Sequence, residues 1–206
     1  MNNLNLNLKV RKFFSSYPLL KFTAGEKVIR QTNAKLSHLY YVEEGLIRQS
    51  ILSKDRQVVY LNMFKPGSLF PIILTMNDLP NRFNFVAVTP TAVREAKIDQ
   101  VEKFLLDNPD VLYDLTCRLG KGLVHLVNAI EILTTNDARS RVLAVLKQIA
   151  SSYGKQSGKS WQIDFPLTHT DIGRFVGLAR ETVTRELVKL KRSGIFRKNH
   201  DQIIIN

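Results

Sequence analysis

The apolar residues between positions 168 and 192 recur at intervals of three and four, which predicts two short amphipathic helices. These apolar positions are Ile172, Phe175, Val176, Leu178, Val183, Leu187 and Leu190. Thr168, followed three residues later by Asp171, forms a capping-box-like pattern that starts the first helix. Gly177 stands where a left-handed residue would end it. The segment therefore predicts two helices around a tight turn.

The second of these helices carries a polar face suited to reading DNA. Docking of its apolar residues on the first helix turns Arg180, Glu181, Thr184 and Arg185 outward. Arginine can contact guanine O6 and N7 together, and glutamate can accept from the cytosine amino group. Positions 172–200 hold eight Lys/Arg against two acids. A solvated surface helix pair would also carry such residues, but their order after a turn glycine favours a DNA-binding helix-turn-helix.

Between Phe22 and about Ile98, short runs rich in β-branched and aromatic residues alternate with turn signals such as Gly25, Gly45 and Pro66-Gly67. The runs are Val28–Ile29, Leu39–Val42, Leu46–Leu52, Val58–Met63 and Phe83–Val88. This pattern predicts a small antiparallel barrel or jelly roll. The Asn/Leu alternation at residues 2–8 fits a strand or a frayed terminus equally well.

A third pattern predicts one long helix after Pro109. Apolar positions recur there at alternating steps of four and three, which is a coiled-coil seam over about three heptads. The seam contains Leu112, Thr116, Leu119, Leu123, Leu126, Ile130 and Leu133. Its leucines and Ile130 are the candidate dimer interface, although a helix buried on its own barrel would show the same stripe. The predicted domains are a β-barrel domain (1–107), a dimerisation helix (108–136) and a DNA-binding domain (137–206).

The last domain has further predicted elements. A helix covers Val142–Ala150, a Gly/Ser/Lys-rich surface loop covers 151–160, and a strand covers Trp161–Phe165. Two short strands within 197–205, around a turn at 199–201, form the wing of a winged helix. The predicted fold class is therefore α+β: an N-terminal antiparallel β jelly-roll barrel, a long dimerisation helix and a C-terminal winged helix-turn-helix domain.

Composition restricts the partners and the compartment. The 206 residues carry a formal net charge of +12, which implies a polyanionic partner. Residues 1–107 contribute +6, residues 108–136 contribute −1, and residues 137–206 contribute +7. There is no apolar run of 18 or more residues and no signal-peptide core, so we expect a cytoplasmic protein without membrane partners. A lone Cys117 excludes an intrachain disulfide.

The segment 167–196 closely resembles the C-terminal domain of the CRP/FNR family of bacterial transcription regulators. The resemblance rests on Ile172-Gly173, Val176-Gly177 and the run Arg180-Glu181-Thr182-Val183-Thr184-Arg185. It implies that Arg180, Glu181 and Arg185 read bases and that Thr182 contacts phosphate. One departure is Ala179, where family members often carry a Ser or Thr that caps the recognition helix. The full set of candidate DNA-binding residues is Arg180, Glu181, Arg185, Thr182, Thr168, Thr170 and Lys189.

The stretches FTAGEKVI, LYYVEEG and KPG resemble the cyclic-nucleotide-binding-type barrel of the same family. By gapless counting, Pro71-Ile72 replaces the family's ribose-binding Gly-Glu, and Arg82-Phe83 replaces its phosphate-binding Arg-Ser. Leu126-Val127 replaces the pair that meets adenine. Unmet polar groups on the nucleotide would cost about 1–3 kcal/mol each, so we expect no binding of cyclic AMP. A smaller or more apolar pocket would be lined by Arg82, Asn84, Ile72, Phe83, Leu126 and Val127.

Other chemistries find little support in the sequence. The cysteine set of the iron–sulfur family members is absent, and the four histidines are isolated, so no metal site or cofactor is predicted. His38 and His125 leave haem ligation open, although a lone histidine is more often a packing or surface residue. There is no Walker A loop, no Ser-His-Asp signature and no paired carboxylate site. Nothing in the sequence predicts an enzyme.

These patterns predict a homodimeric regulator of CRP/FNR type that binds a palindromic double-stranded DNA site and works with RNA polymerase. Its expected control is an effector other than cyclic AMP, which reorients the two recognition helices. An alternative is an effector-independent, architectural DNA-binding protein whose barrel is only a dimer scaffold. A third interpretation, a nucleotide-binding regulatory subunit of an enzyme, is disfavoured by the intact Arg180–Arg185 run.

Overall fold

The structure, a computed structural model, describes residues 3–134, 137–199 and 202–205. The chain divides into two compact units. The first contains the residues up to Leu52 together with Leu61–Gly122, and the second contains Ser53–Tyr60 together with the residues from Leu123 onwards. No helix among the described residues is long and apolar enough to cross a membrane.

Antiparallel strands dominate the N-terminal part of the chain. In chain order they are β1 (Leu19–Phe22), β2 (Lys27–Ile29), β3 (His38–Glu44), β4 (Ile47–Leu52), β5 (Val58–Phe64), β6 (Leu69–Phe70), β7 (Asn84–Ala87) and β8 (Thr91–Lys97). They form two four-stranded sheets with the orders β1-β8-β3-β6 and β2-β7-β4-β5. The five predicted runs each fall on a strand, whereas β1, β6 and β8 were not predicted. The prediction of an antiparallel β domain is confirmed.

Aromatic rings fill the space between the two sheets. One core cluster draws residues from both sheets: Ile29, Val42, Ile47, Phe70, Phe85 and Val93. The fully buried ring of Phe70 lies 5.4 Å from Phe85 and 5.2 Å from Phe64, measured between ring centroids. Close-packed rings of this size bury about 150–250 Å2 each, so they account for much of the stability of this core.

A second core cluster attaches helices to the first sheet. These helices are α1 (Asn3–Phe14), α2 (Ile72–Met76) and α3 (Ile98–Asp107). The expectation of a strand or frayed terminus at residues 2–8 was wrong for the described residues from Asn3 onwards. Leu6, Val10 and Phe14 recur every four residues, and all three are buried in this cluster. That helical spacing prevails over the local Asn/Leu alternation.

Helix α4 (Pro109–Thr134) is the predicted long helix, and its 26 residues run from the first unit into the second. Val111 is buried near its start. The residues of α4 beyond Cys117 are largely exposed.

The second unit is a small helical domain with a four-stranded sheet. Its helices are α5 (Ala138–Tyr153), α6 (His169–Val176) and α7 (Arg180–Arg192), and its strands are β9 (Lys155–Ser157), β10 (Ser160–Ile163), β11 (Phe196–Asn199) and β12 (Gln202–Ile205). Asp137 caps α5 by accepting from the Arg139 and Ser140 backbone N–H groups. The wing strands pair as predicted, while part of the predicted turn at 199–201 lies outside the described residues. The expected surface loop at 151–160 contains strand β9, which pairs with β10.

Candidate nucleic-acid interface

A reciprocal capping box fixes the start of α6. The Thr168 side chain accepts from the Asp171 backbone N–H at 3.1 Å, and Asp171 Oδ2 accepts from the Thr168 backbone N–H at 2.9 Å. Two of the amide groups that a helix start leaves without partners are thereby satisfied. The predicted capping pattern is confirmed.

The turn between α6 and α7 depends on two glycines. Gly177 ends α6 in the left-handed conformation with φ 65°, as predicted. The Leu178 N–H then donates to the Gly173 carbonyl at 3.1 Å. This brings the chain back so closely that a Cβ at Gly173 would lie 2.4 Å from the Leu178 carbonyl oxygen. A side chain at position 173 would collide with the backbone of the turn.

The recognition helix α7 packs through its apolar face and exposes its polar start. Val183, Leu187 and Leu190 are buried, whereas Arg180, Glu181 and Arg185 are exposed. The N-cap of α7 is Ala179, whose methyl group cannot accept a hydrogen bond from the helix start. The three predicted base-reading side chains thus lie on the solvent side of the first two turns.

Lys189 and Thr182 differ from those three residues in their surroundings. Lys189 Nζ donates to the buried carboxylate of Glu186 at 2.8 Å, so its ammonium group already has an anionic partner. The side chain of Arg185 also lies 3.8 Å from Glu186 but remains two-thirds exposed. Thr182 is half-buried.

Thr168 and Thr170 lie at the start of α6, beside the first residue of α7. Together with His169, Arg180 and Lys198 they line an open recess of about 370 Å3. The sequence predicted three of these five residues for DNA binding and missed His169 and Lys198. Both are polar residues adjoining predicted DNA-binding elements, but their proximity depends on how β11 packs against α7.

A tyrosine outside the helix-turn-helix supports α6. Tyr60, which is only 4% exposed, donates to Asp171 Oδ1 at 2.9 Å and accepts from Arg174 Nη1 at 2.7 Å. Its ring lies edge-on to Phe175 with the centroids 5.2 Å apart. The Asp171 carboxylate therefore serves both the cap and Tyr60. No sequence pattern pointed to Tyr60, which is 111 positions from Asp171 along the chain.

Helix α4 presents a row of exposed apolar side chains. Leu123, Leu126 and Ile130 are 63%, 50% and 55% exposed, and Leu119 and Leu133 extend the row at either end. Leu112, which was predicted for the same interface, differs. It is partly buried against the core cluster that holds α1 and α3, because the first turns of α4 pack on that cluster.

The candidate effector-pocket residues differ in their surroundings. Ile72 is buried in the core cluster with α1 and α3, whereas Phe83 packs on the cluster between the sheets. Arg82 is exposed, and Asn84 Oδ1 accepts from the Gln31 backbone N–H at 3.2 Å. Leu126 and Val127 are exposed on α4. Among the residues that the structure describes, no three His, Cys, Asp or Glu side chains are grouped as a metal site.

Two family models match the chain. The cyclic nucleotide-binding domain model matches residues 19–108, and the Crp-like helix-turn-helix domain model matches residues 140–206. Between them they cover the β domain and the second unit from α5 to the wing. The two models are those expected of a CRP/FNR regulator.

Individual relatives agree with this assignment. The chain is 29% identical to the transcriptional regulator SdrP of Thermus thermophilus, over 80% of this chain and 77% of that protein. It is 24% identical to the global nitrogen regulator of Nostoc sp., over 92% and 86% of the two chains. The c-di-GMP responsive global regulator CLP of Xanthomonas campestris shares the fold with a TM-score of 0.77 at 18% identity, over 96% and 97% of the two chains. The chain belongs to the CRP/FNR family and is a DNA-binding transcription regulator.

Proposed function

We propose that the protein binds a palindromic DNA site as a homodimer, with Arg180, Glu181 and Arg185 contacting base edges in the major groove. The observation that carries this proposal is the exposure of these three side chains at the start of α7, while Val183, Leu187 and Leu190 anchor its other face. The N-terminal residues of a recognition helix are those that reach base edges. Thr168, Thr170 and Thr182 supply hydroxyl groups near the same helix ends for the phosphate backbone.

The exposed apolar row on α4 supports the homodimer. Five large apolar side chains at alternating steps of three and four leave one helix face in water, which a second copy of the same helix would cover. A two-fold axis along this face would present two recognition helices to half-sites one helical turn apart. In this role the dimer would act in the cytoplasm beside RNA polymerase and not as an enzyme.

For control we propose an effector other than cyclic AMP. Ile72 and Leu126, which replace polar nucleotide-binding residues, offer the ligand no hydrogen-bonding side chain. The neighbour CLP is described as c-di-GMP responsive, so a protein of this fold can respond to a ligand other than cyclic AMP. The packed rings of Phe64, Phe70 and Phe85 favour the second candidate, an effector-independent architectural DNA-binding protein.

Selection of DNA from a random duplex library by the purified protein tests the proposal. We expect enrichment of a palindrome with half-sites about ten base pairs apart. Footprinting on the selected site, with and without a small-molecule extract, separates the two candidates because only an effector-controlled protein changes its footprint. Failure to enrich any sequence would contradict sequence-specific binding.

A further inference from the structure

The recess between α6, α7 and β11 is basic. Arg180 enters it from α7 and Lys198 from β11, and none of its five lining residues carries a carboxylate. Within the described part of the chain, neither cation forms an ion pair with an Asp or Glu side chain. Thr170 adds a half-buried hydroxyl group. Two uncompensated cations around an open recess favour an anionic ligand.

The imidazole of His169 is held in one orientation at this recess. Thr184 Oγ1 donates to the Arg180 carbonyl at 2.9 Å and lies 2.8 Å from His169 Nδ1. When the hydroxyl hydrogen lies on the Arg180 carbonyl, Thr184 Oγ1 can accept from the ring, and the tautomer that completes both bonds carries its proton on Nδ1. Nε2 of the neutral ring is then an acceptor, which cannot donate to an anion until it binds a proton.

The surroundings of His169 disfavour protonation of its ring in the free protein. Burial lowers the pKa of His169 below its ordinary value of 6.5, and the positive charges of Lys198 and Arg180 lower it further. On its own helix, Asp171 is engaged by Thr168 and Tyr60, and Arg174 bonds Tyr60. From α5, Arg141 bonds the carbonyl of Val176 at the other end of α6. His169 is thus predominantly neutral at neutral pH.

We propose that this recess binds a backbone phosphate of DNA and that His169 takes up a proton as the phosphate enters. The proton comes from solvent and binds Nε2, which then donates to a phosphate oxygen while Nδ1 keeps its bond to Thr184. The phosphate brings a negative charge into the recess that His169, Arg180 and Lys198 line, which favours the imidazolium form. DNA affinity therefore rises as pH falls through the pKa that His169 has in the complex. This inference rests on the proposed function.

Calorimetry on the full-length protein tests the proposal directly. The probe is a duplex of about 30 base pairs with arbitrary sequence, since phosphate contacts are independent of sequence. Titrations near pH 6.5 in two buffers with different ionisation enthalpies measure the protons taken up on binding. We expect net uptake by the wild type and less uptake by His169→Gln. His38→Gln, which changes a histidine of the first unit, should match the wild type.

The pH dependence of affinity gives a second readout at constant ionic strength. Between about pH 8 and pH 5.5 we expect wild-type binding to tighten about fivefold to tenfold per subunit beyond that of His169→Gln, because each unit of pKa shift corresponds to a tenfold change. His169→Arg, which is permanently charged, should bind at pH 8 at least as tightly as the wild type does at low pH. A circular dichroism melt of each variant shows that it is folded.

The outcomes separate this inference from the proposed function. If the wild type and His169→Gln bind DNA with equal proton uptake and equal pH dependence, the proton linkage is wrong while DNA binding stands. If the wild type binds no duplex at any pH and low salt, the proposed function itself is wrong. If His169→Arg binds more weakly than His169→Gln at pH 8, a cation is not favoured in the recess and the phosphate site is contradicted.

Discussion

The Cα of Gly173 faces the carbonyl oxygen of Leu178 across the turn of the helix-turn-helix, and a Cβ built on it would lie 2.4 Å from that oxygen. The Leu178 N–H donates back to the Gly173 carbonyl at 3.1 Å. The two residues therefore hold the ends of the turn together with no space for a side chain. This approach sets how α7 leaves α6.

Replacing Gly173 with alanine should destabilise the second unit by about 1–3 kcal/mol, since the obstructing atom belongs to the backbone and must move. Chemical denaturation followed by circular dichroism measures the loss. Gly120→Ala is the matched control, because a Cβ there meets nothing within 4 Å and alanine is the better helix former. Equal stability of Gly173→Ala and the wild type would show that the turn has another conformation.

A capping residue introduced at the start of α7 should stabilise the protein. Ala179 is the N-cap of α7 with φ −63° and ψ 148°, an extended conformation suited to a capping side chain. Ala179→Ser should raise the free energy of unfolding by about 0.5–2 kcal/mol by satisfying an amide at the start of the recognition helix. Ala179→Leu, which adds bulk without an acceptor, should not. A stability of the serine variant at or below that of the leucine variant would contradict the cap.

The local features of the helix-turn-helix could be predicted because they depend on short sequence separations. Thr168 and Asp171 cap within three residues, and Gly177 acts through its own φ. His169 and Lys198 were missed because their proximity depends on the packing of β11 against α7. Tyr60 was missed because it is 111 residues from Asp171. Sequence patterns reveal such contacts only when a known motif includes them.

The predicted effector pocket shows a second limit, which is that counting residues along the chain does not reveal how they pack. Ile72 and Phe83 were grouped by counting from Pro66-Gly67, yet they pack in different core clusters. Counting gives positions along the chain, but it does not show that Ile72 belongs to helix α2 and packs with α1 and α3. The period-two alternation at the N-terminus was also misleading. Leu6 and Val10 lie four residues apart, and their burial on one face stabilises a helix there.

Base readout by α7 can be tested one side chain at a time. Arg180→Ala or Arg185→Ala should lose about 1–3 kcal/mol of affinity for the selected site and relax specificity at one base pair in each half-site. Thr182→Ala should weaken binding more evenly across sequences. The control is Arg192→Ala, which removes an exposed arginine from the last turn of the same helix. Competition binding with single-base variants measures both effects. Unchanged selectivity of Arg180→Ala would show that Arg180 does not read a base.

The apolar row on α4 predicts a dimer in the absence of DNA. Leu119→Glu together with Leu126→Glu should separate the subunits, because like charges facing each other across the axis are desolvated without partners. Leu106→Glu alters another exposed leucine, 73% accessible on α3, and should leave the dimer intact. Sedimentation velocity at micromolar concentration distinguishes these states. A wild-type monomer, or a double mutant that stays dimeric, would contradict the assignment of this face.

Cyclic AMP should bind no more tightly than about 1 mM and should leave DNA affinity unchanged. Ile72, which stands at the ribose-binding position by gapless counting, is aliphatic and buried in a core cluster, and Phe83 packs on another. One charge-assisted contact from Arg82 would supply about 1.5–3 kcal/mol, which does not offset the unmet polar groups of the nucleotide and the cost of immobilising it. Calorimetric titration of the protein with cyclic AMP and cyclic GMP measures this directly. Arg82→Ala should give the same null result as the wild type, whereas a micromolar dissociation constant that Arg82→Ala abolishes would identify a nucleotide site and overturn the prediction.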